Sequence, residues 1–586
     1  MHDLVLIHPP SVFDFRERRQ SRGPIAKVIP STEQFEMFPV GITSIAEYVA
    51  RNGYRVRILN LARRMVADPG YDPVQALRRL EARVFGIDLH WLPHAHGALA
   101  VARLLRELHP DAKILLGGLS ATYYHAELLR DPAIDFVIRG DSTEEPVRQL
   151  LRALRQGSPL ERVESLTWRR PDGVVVANPL RPAATDLDAF ELPAYRHMVR
   201  SSLTPERARD GLPYQGWWRR PLTVLLTSRG CSLDCAVCGG SRSAYRTVCS
   251  RTRPAFRSPE RLIDDLRDIR AFSRSPVFLV HDPRMGGEER AARLFELLAR
   301  ERLPNELVFE LFWPAGPELL AQVKRSVPRW SLQLTLDSQD PAIRAANGKF
   351  DASNEAVEST IEAAFAHGCR TLDVFFTVGL PGQTLESALG IADYAERLLR
   401  QFGGPHRRRL RPFVAPIAPF LDPGSRAFED ASLGYRPHAR SVADHEAALL
   451  EPDWGRTLTY DSDAMTRAEI VEATYTVTER LNDLDLRFGL ARPEAHAAVA
   501  RGIAAARRVT ATAMGAAEAR ARGGVAADPA VDGPWMFAKD EMNWPGSEGI
   551  QVTPRLAWIV ATGLVQSLIR SADRALGRYD RHVLAG

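Results

Sequence analysis

The segment Thr227-Ser-Arg-Gly-Cys-Ser-Leu-Asp-Cys-Ala-Val-Cys-Gly-Gly240 decides the fold class of this chain. It contains three of the five cysteines in 586 residues, Cys231, Cys235 and Cys238, in a C-x3-C-x2-C pattern. The apolar run at residues 221–227 predicts a short buried strand before them. The three thiols therefore lie on a loop at the carboxyl end of a strand, where open α/β folds place their chemistry.

Three thiolates on one tight loop favour an iron–sulfur cluster in which one iron has no protein ligand. A structural zinc site is the alternative, but it needs a fourth ligand nearby in closed tetrahedral geometry. The next cysteine, Cys249, comes eleven residues later without a C-x2-C partner. Cys249 is either a thiol near the site or an inert one, and Cys369, beside Gly368, is expected to be a small buried hydrophobe.

This cysteine loop resembles the signature of the radical SAM superfamily. The resemblance implies that the three cysteines hold a 4Fe-4S cluster and that the open iron chelates S-adenosylmethionine (SAM). It further implies reductive cleavage of SAM to methionine and a 5′-deoxyadenosyl radical. An electron donor such as flavodoxin or ferredoxin is then required.

The composition is that of an ordinary soluble protein, with 45% hydrophobic and 25% charged residues. The net charge of +5 is small for this length, so a nucleic-acid partner is not expected. The few cysteines fit a reducing cytoplasm. The N-terminus does not resemble a signal peptide, and no apolar window is long enough to predict a membrane-spanning helix.

Residues 1–155 alternate predicted strands with predicted helices, which indicates a doubly wound, Rossmann-like parallel sheet. Ligands of such sheets bind outside the carboxyl ends of the strands. Glycines at these ends allow the backbone to approach a large ligand closely. The five predicted strands cover residues 4–7, 56–59, 84–87, 113–118 and 136–140.

This first region looks like the cobalamin (B12)-binding domain that precedes the radical SAM core in many family members. Asp88-Leu-His90 partly matches the D-x-H-x-x-G motif of corrinoid carriers, but Pro93 replaces its glycine and the segment follows strand three. His90 is therefore either a cobalt ligand or a residue that lines the pocket, and the resemblance implies cobalamin without a protein histidine on cobalt. The cobalamin-binding residues implied are Pro9, Pro10, Asp88, His90, Gly117, Gly118, Leu119, Ser120, Thr122, Gly140, Asp141 and Ser142.

Residues 156–220 form a connector. A hairpin is predicted over residues 165–176 with its turn at Asp172-Gly173. The remainder either covers the entrance to the site or packs one domain against the other.

Residues 221–425 repeat the strand–helix alternation six times, which is too few for a closed eight-fold barrel. Six parallel strands match the partial (β/α)6 barrel of radical SAM enzymes. An arginine-rich loop follows the cysteines and either meets an anionic group of the substrate or is solvated. The predicted strands cover residues 221–227, 277–280, 307–312, 331–336, 371–377 and 411–415.

The resemblance assigns SAM contacts to residues at the ends of these strands. His281 and Asp282 stand where the family has Gly-Gly-Glu and would meet the amino group. Asp337 and Ser338 would bind the ribose hydroxyls. The remaining candidates would contact adenine; they are Val237 and the loop Gly379, Leu380, Pro381 and Gly382.

Residues 426–586 are predicted to be mainly helical and to close over the substrate or determine specificity. Helices are expected at residues 441–450, 467–482 and 493–519, with a Gly/Ala-rich linker at residues 520–532. The apolar helix at residues 556–569 is too short to span a membrane. It either docks on the barrel or makes peripheral contact with a membrane surface.

The whole pattern resembles radical SAM proteins with a B12-binding domain, a class dominated by methyltransferases. It implies cobalamin-dependent methylation of an unactivated carbon in a small-molecule, natural-product or lipid substrate. The alternative is radical carbon–carbon coupling, ring formation or rearrangement without methyl transfer. A cobalamin or cluster sensor is a third hypothesis, which the predicted SAM pocket disfavours because a sensor needs none. The sequence names no residue that accepts or quenches the radical.

Overall fold

The computed structural model describes residues 1–18, 32–192, 210–215, 217, 223–403, 409–416 and 420–521. Within these residues the fold consists of two largely parallel sheets, each flanked by helices, and a helical C-terminal region. This architecture confirms the predicted α/β fold class. Most of the predicted linker and the apolar helix at residues 556–569 lie outside the described residues.

The first sheet has seven strands in the order β2-β1-β3-β4-β5-β6-β7. The first five pair in parallel, as expected for a doubly wound sheet, whereas β6 and β7 pair antiparallel. The predicted hairpin is this β6–β7 pair, and it extends the first sheet beyond β5. The strands are β1 (His2–His8), β2 (Val56–Asn60), β3 (Ala82–Asp88), β4 (Lys113–Gly117), β5 (Phe136–Ile138), β6 (Leu166–Arg169) and β7 (Val175–Ala177).

Helices cover both faces of this sheet. On β1, Val5 and Ile7 belong to one hydrophobic core, and Leu4 and Leu6 belong to another on the opposite face. This alternation follows from the two-residue period of a strand whose faces are both buried. The helices are α1 (Val40–Arg51), α2 (Leu61–Ala67), α3 (Pro73–Arg78), α4 (Ala95–Leu108), α5 (Leu119–Tyr123), α6 (His125–Leu128) and α7 (Glu144–Gln156).

The second sheet has six parallel strands in the order β15-β14-β13-β12-β11-β8, which confirms the predicted six-strand partial barrel. A two-stranded ribbon, β9 (Ser228–Arg229) with β10 (Ala255–Phe256), flanks the cysteine loop. The six strands are β8 (Thr223–Leu226), β11 (Val277–Val280), β12 (Leu307–Leu311), β13 (Trp330–Asp337), β14 (Leu372–Val378) and β15 (Leu410–Pro416).

Helices pack on the outer face of this second sheet. Leu332, Leu334 and Leu336 of β13 are buried in the core that includes helix residues, so Gln333 and Thr335 face the barrel interior. The helices are α8 (Arg242–Cys249), α9 (Pro259–Phe272), α10 (Glu288–Glu301), α11 (Pro317–Ser326), α12 (Pro341–Ala346), α13 (Asn354–Ala366) and α14 (Leu385–Phe402).

The C-terminal helices contact both sheet regions. The long helix α18 (Arg467–Arg487) packs on α14 and on β15 of the second region, whereas α16 (Val442–Leu449) packs on α4 of the first region. None of the helices in the described part of the chain is long and apolar enough to cross a membrane. The remaining elements are α15 (Arg426–Glu429), β16 (Tyr435–Pro437), α16 (Val442–Leu449), α17 (Trp454–Thr457), β17 (Tyr460–Ser462), α18 (Arg467–Arg487) and α19 (Pro493–Ala521).

Candidate active site between the two sheets

The cysteine loop follows β8 and β9 and is held by its own backbone and by two neighbouring segments. The amides of Leu233 and Gly240 point at the sulfurs of Cys231 (3.4 Å) and Cys238 (3.3 Å). The Ala236 amide donates to the Asn347 carbonyl (2.7 Å), and the Gly239 amide donates to Asp422 Oδ2 (2.9 Å). Backbone donors aimed at sulfur stabilise thiolates, which is the form that binds iron.

Burial raises the pKa of the Cys235 thiol to about 12 and also raises the pKa of the Cys231 thiol. Without a metal these thiols are protonated at neutral pH, so metal binding must release protons. Within the described residues, no three Cys, His, Asp or Glu side chains are grouped as they would be around one metal ion. A 4Fe-4S cluster does not require such a grouping, because each of its cysteine thiolates binds a different iron.

The other two cysteines are buried away from this arrangement. Cys249 is the last residue of α8 and is 2% exposed. Cys369 is fully buried, and its Sγ donates to the Thr371 carbonyl (3.2 Å). Both are small core residues in the structure, as expected for Cys369.

At the end of β11, His281 and Asp282 are committed to contacts within the protein. His281 Nδ1 pairs with Ser228 Oγ (2.9 Å), and burial lowers the His281 pKa to about 4. Asp282 accepts from the Arg284 guanidinium (2.6 Å) and from the Phe312 amide (3.0 Å). Glu310, which sequence reasoning missed, accepts from the His281 amide (2.9 Å) and is a further carboxylate at this strand end.

At the end of β13, Asp337 has a φ of +66° and lies next to Lys349, another residue that the sequence did not reveal. Asn347 Nδ2 donates to Asp337 Oδ2 (3.0 Å), and Lys349 Nζ lies 3.5 Å from the same oxygen. Ser338 is fully buried, and its hydroxyl accepts from the Asp340 amide (3.1 Å). Asp337 is thus paired with a buried cation and a side-chain amide, whereas Ser338 shapes the turn.

Hydrogen bonds from Gln383 and Tyr435 fix the backbone of the loop after β14. Gln383 Oε1 accepts from the Gly379 amide (2.8 Å) and the Leu380 amide (3.2 Å), and the Tyr435 hydroxyl donates to the Gly379 carbonyl (2.7 Å). Gly379 and Gly382 have φ values of +101° and +70°, which only glycine adopts without strain. Leu380 and Pro381 are buried between them, and Val237 is half-buried against the barrel core.

At the first sheet, the ends of β1 and β3 carry a buried histidine–aspartate pair. His8 Nδ1 contacts Asp88 Oδ2 (2.9 Å), and His94 Nδ1 contacts the Pro9 carbonyl (3.0 Å). Burial opposes ionisation of Asp88, but the hydrogen bond and charge of His8 lower the Asp88 pKa overall. Burial lowers the pKa of His94 to about 3 and also lowers that of His90. The imidazoles of His90 and His94 are therefore neutral at neutral pH.

The ends of β3, β4 and β5 are packed on one another through glycines. A Cβ on Gly118, whose φ is +118°, would lie 2.5 Å from the His90 Cα, so only glycine fits there. Ser120 Oγ donates to the His90 carbonyl (3.0 Å), and Thr122 Oγ1 accepts from the Gly140 amide (3.0 Å). Together with Pro10, Gly117 and Leu119, these residues form a backbone-rich edge whose glycines allow a large ligand to approach closely.

Asp141 and Ser142 join the first sheet to the cysteine region. Arg251 donates to Asp141 (3.2 Å from Nη2 to Oδ1) and to Ser142 Oγ (3.3 Å). Arg229, two residues before Cys231, forms a second ion pair with Glu144 at the start of α7 (3.1 Å). The arginine-rich loop is therefore not uniformly solvated, because Arg251 is buried in this contact and Arg257 is buried against Asp265.

Two family models match the chain. A B12 binding domain matches residues 26–150, and the radical SAM superfamily matches residues 225–395. The first span covers β2 to β5 of the first sheet, and the second covers the cysteine loop and β11 to β14 of the second sheet.

Three named proteins are similar to this chain in sequence. An uncharacterized methyltransferase of Pyrococcus horikoshii is 23% identical, covering 61% of this chain and 73% of the relative. The cytidylyl-2-hydroxyethylphosphonate methyltransferase of Streptomyces wedmorensis is 22% identical over the same shares. The anaerobic magnesium-protoporphyrin IX monomethyl ester cyclase of Synechocystis is 32% identical, but over only 23% of this chain and 24% of the cyclase.

Two solved structures share the fold. The radical SAM methyltransferase TsrM of Kitasatospora setae, solved with tryptophan substrate and a SAM analogue, has a TM-score of 0.51 at 16% identity and covers 75% of this chain and 79% of its own. The cobalamin-dependent SAM radical enzyme OxsB, solved with aqua-cobalamin, has a TM-score of 0.51 at 11% identity and covers 98% of this chain and 81% of its own. The cofactors of such a two-domain protein are cobalamin, a 4Fe-4S cluster and SAM. The chain belongs to the radical SAM enzymes that carry an N-terminal B12-binding domain.

Proposed function

We propose that this enzyme is a cobalamin-dependent radical SAM methyltransferase that methylates an unactivated carbon of a small organic molecule. The observation that carries the proposal is the contact between the two strand-end edges. Asp141 and Glu144 of the first sheet are ion-paired with Arg251 and Arg229, which flank the cysteine loop. A ligand on the first edge therefore lies next to a cluster on the second.

The bound cofactors would supply the radical and the methyl group, and the protein would position them. Cys231, Cys235 and Cys238 would hold the cluster, Asp337 would bind the ribose of SAM, and the Gly379–Gly382 loop would support its adenine. Asp282 is a weaker candidate for the amino group because Arg284 already neutralises it. Glu310, on the same strand-end level, is a stronger one.

We assign four regions to this function. Residues 1–155 would bind cobalamin, residues 156–220 would connect, residues 221–425 would form the radical SAM barrel, and residues 426–586 would close over the substrate or determine specificity. The contacts of α16 with α4 of the first region and of α18 with β15 of the second sheet support a closing role for the last region. An external donor such as flavodoxin or ferredoxin would supply the electron.

Two similar sequences are named methyltransferases, and each alignment with them covers 61% of this chain. Ring formation is the second candidate, because the segment shared with the anaerobic cyclase is the most identical of the three. The two candidates differ in what happens to the methyl group of SAM.

The test measures both SAM-derived products. The protein is purified anaerobically, its cluster is reconstituted, and it is incubated with hydroxocobalamin, SAM, dithionite and fractions of candidate substrates. Methyl transfer predicts S-adenosylhomocysteine together with 5′-deoxyadenosine, and cobalamin retained through gel filtration. 5′-Deoxyadenosine without S-adenosylhomocysteine would favour ring formation or rearrangement. Neither product, or the same products from Cys235→Ala, would refute the proposal.

A further inference from the structure

A buried cation is carried by a turn that contacts the cysteine loop. The side chain of Lys349 is 5% exposed, and its Nζ lies 3.5 Å from Asp337 Oδ2 and 3.4 Å from the Thr335 carbonyl. The same ammonium lies 4.7 Å from the centre of the Phe312 ring. A buried ammonium held by one carboxylate, one carbonyl and one aromatic face keeps its charge and a fixed position.

The backbone brings this lysine to the cysteines. It lies in the turn Asn347-Gly348-Lys349 after α12, and the Asn347 carbonyl accepts from the Ala236 amide inside the cysteine loop (2.7 Å). A Cβ on Gly348 would lie 2.5 Å from the Asp234 carbonyl oxygen, so the two backbones touch. The Lys349 amide donates to the Arg344 carbonyl (3.0 Å), which completes the turn.

The charge of Lys349 acts across this contact on the cysteine loop and its sulfurs. The turn touches the loop at Ala236 and at Asp234, and water screens a buried charge only weakly. A fixed positive charge favours the more negative state of whatever these sulfurs bind. Reduction of an iron–sulfur cluster by one electron makes it more negative, and net charge around a cluster is one determinant of its potential.

We propose that the fixed positive charge of Lys349 raises the reduction potential of the cluster held by Cys231, Cys235 and Cys238. Lys349 is thus a positioning residue and takes no part in the reaction itself. The inference rests on the proposed function, because it requires the cluster to be bound. An external one-electron donor supplies the electron. No bond forms or breaks at Lys349, and the ammonium keeps its proton. Asp337 opposes the effect, because its carboxylate partly neutralises the same cation.

The experiment is a potentiometric titration of the reconstituted cluster, followed by electron paramagnetic resonance, with neither SAM nor cobalamin present. Lys349→Met is expected to lower the ratio of reduced to oxidised cluster about tenfold at the wild-type midpoint, a shift of about 59 mV for one electron. Lys349→Arg should stay near the wild type because it keeps the charge. Asp337→Asn should shift the midpoint in the opposite, positive direction.

The outcomes separate this inference from the proposed function. A wild-type protein that binds no cluster would refute the proposed function. A loaded cluster whose midpoint is the same in Lys349→Met would overturn the inference alone, as would shifts of the same sign in Lys349→Met and Asp337→Asn. If Lys349→Met does not bind iron, Asp337→Asn decides: a positive shift supports the role of Lys349, and an unchanged midpoint overturns it.

Discussion

The strand-end edges of the two sheets use the same geometry in opposite ways. On the first edge, the polar groups are already paired within the protein, as in His8 with Asp88 and Thr122 with Gly140. On the second edge, burial raises the pKa of the Cys235 thiol to about 12, and only a metal could draw off its proton. The first edge is complete before its ligand arrives, whereas the second is completed by its ligand.

This difference has a physical origin in the ligands. A large flat cofactor is recognised by shape, so its edge needs glycines and satisfied hydrogen bonds. A cluster is bound through covalent metal–sulfur bonds, so its loop needs only well-placed thiols and nearby charge. The ion pairs of Arg229 and Arg251 tie the prebuilt edge to the metal-dependent one.

The largest expected effect comes from removing a thiol from the second edge. Cys235→Ala should lose essentially all cluster iron and the associated absorption, because two thiolates cannot hold the cluster in this loop. Iron analysis and the optical spectrum after anaerobic reconstitution measure this. Cys369→Ala is the matched control: it removes a buried thiol outside the loop and should keep the iron. Equal iron in both variants would contradict the assignment.

The Arg229–Glu144 ion pair, which joins the two edges, should give the next largest loss when it is broken. Arg229→Met leaves the Glu144 carboxylate buried without its partner, since the two side chains are only 9% and 2% exposed. Breaking such a pair costs about 3–5 kcal/mol of unfolding free energy. The control, Arg300→Met, breaks an exposed pair with Glu296 and should cost about 0–1 kcal/mol. Urea denaturation measures both changes, and equal losses of unfolding free energy would contradict a structural role for the Arg229–Glu144 pair.

The Arg229–Glu144 pair should also weaken in acid. Burial acts to raise the Glu144 pKa, but the charge and hydrogen bonds of Arg229 lower it overall, below 4.5. The unfolded state therefore binds a proton before the folded state does as the pH falls. The stabilisation is fully present above about pH 4.5 and is lost as the pH falls through the folded pKa. Arg229→Met should remove this part of the acid dependence.

The barrel interior should show the opposite pH dependence. Burial raises the pKa of Asp373 on β14 from 3.8 to about 7, and its Oδ1 has no hydrogen-bond partner within the described residues. The folded state then binds a proton that the unfolded state has released. The free energy of unfolding falls as the pH rises from 5 to 8, by at most about 3 kcal/mol. Asp373→Asn should flatten this dependence, whereas Asp393→Asn on the surface should not.

The smallest effect is expected on the prebuilt first edge. Gly118→Ala places a Cβ 2.5 Å from the His90 Cα at a φ of +118° and should cost about 1–3 kcal/mol, together with reduced retention of cobalamin through gel filtration. The control, Gly157→Ala, has φ of +64° and open space around its Cβ. It should cost about 1 kcal/mol and keep cobalamin. Equal retention in both variants would contradict the shape-based account.

The sequence alone determined the elements and the chemistry that local pattern encodes. The strands of both sheets and the C-x3-C-x2-C loop follow from apolar periodicity and residue spacing. Residues close in sequence are sufficient to predict these elements, because a strand–loop–helix unit is defined by neighbouring residues. The same reasoning placed Asp88, Gly118 and Gly379 at strand ends.

Only the tertiary structure decided which polar groups are already used and which distant ones join the site. Asp282 is neutralised by Arg284, and Asp141 forms an ion pair with Arg251 instead of facing a ligand. Lys349 lies 111 residues after Cys238 in the sequence, and no local pattern distinguishes it from a surface lysine. Its burial depends on the contact of Gly348 with Asp234, a packing relation that residue spacing does not encode.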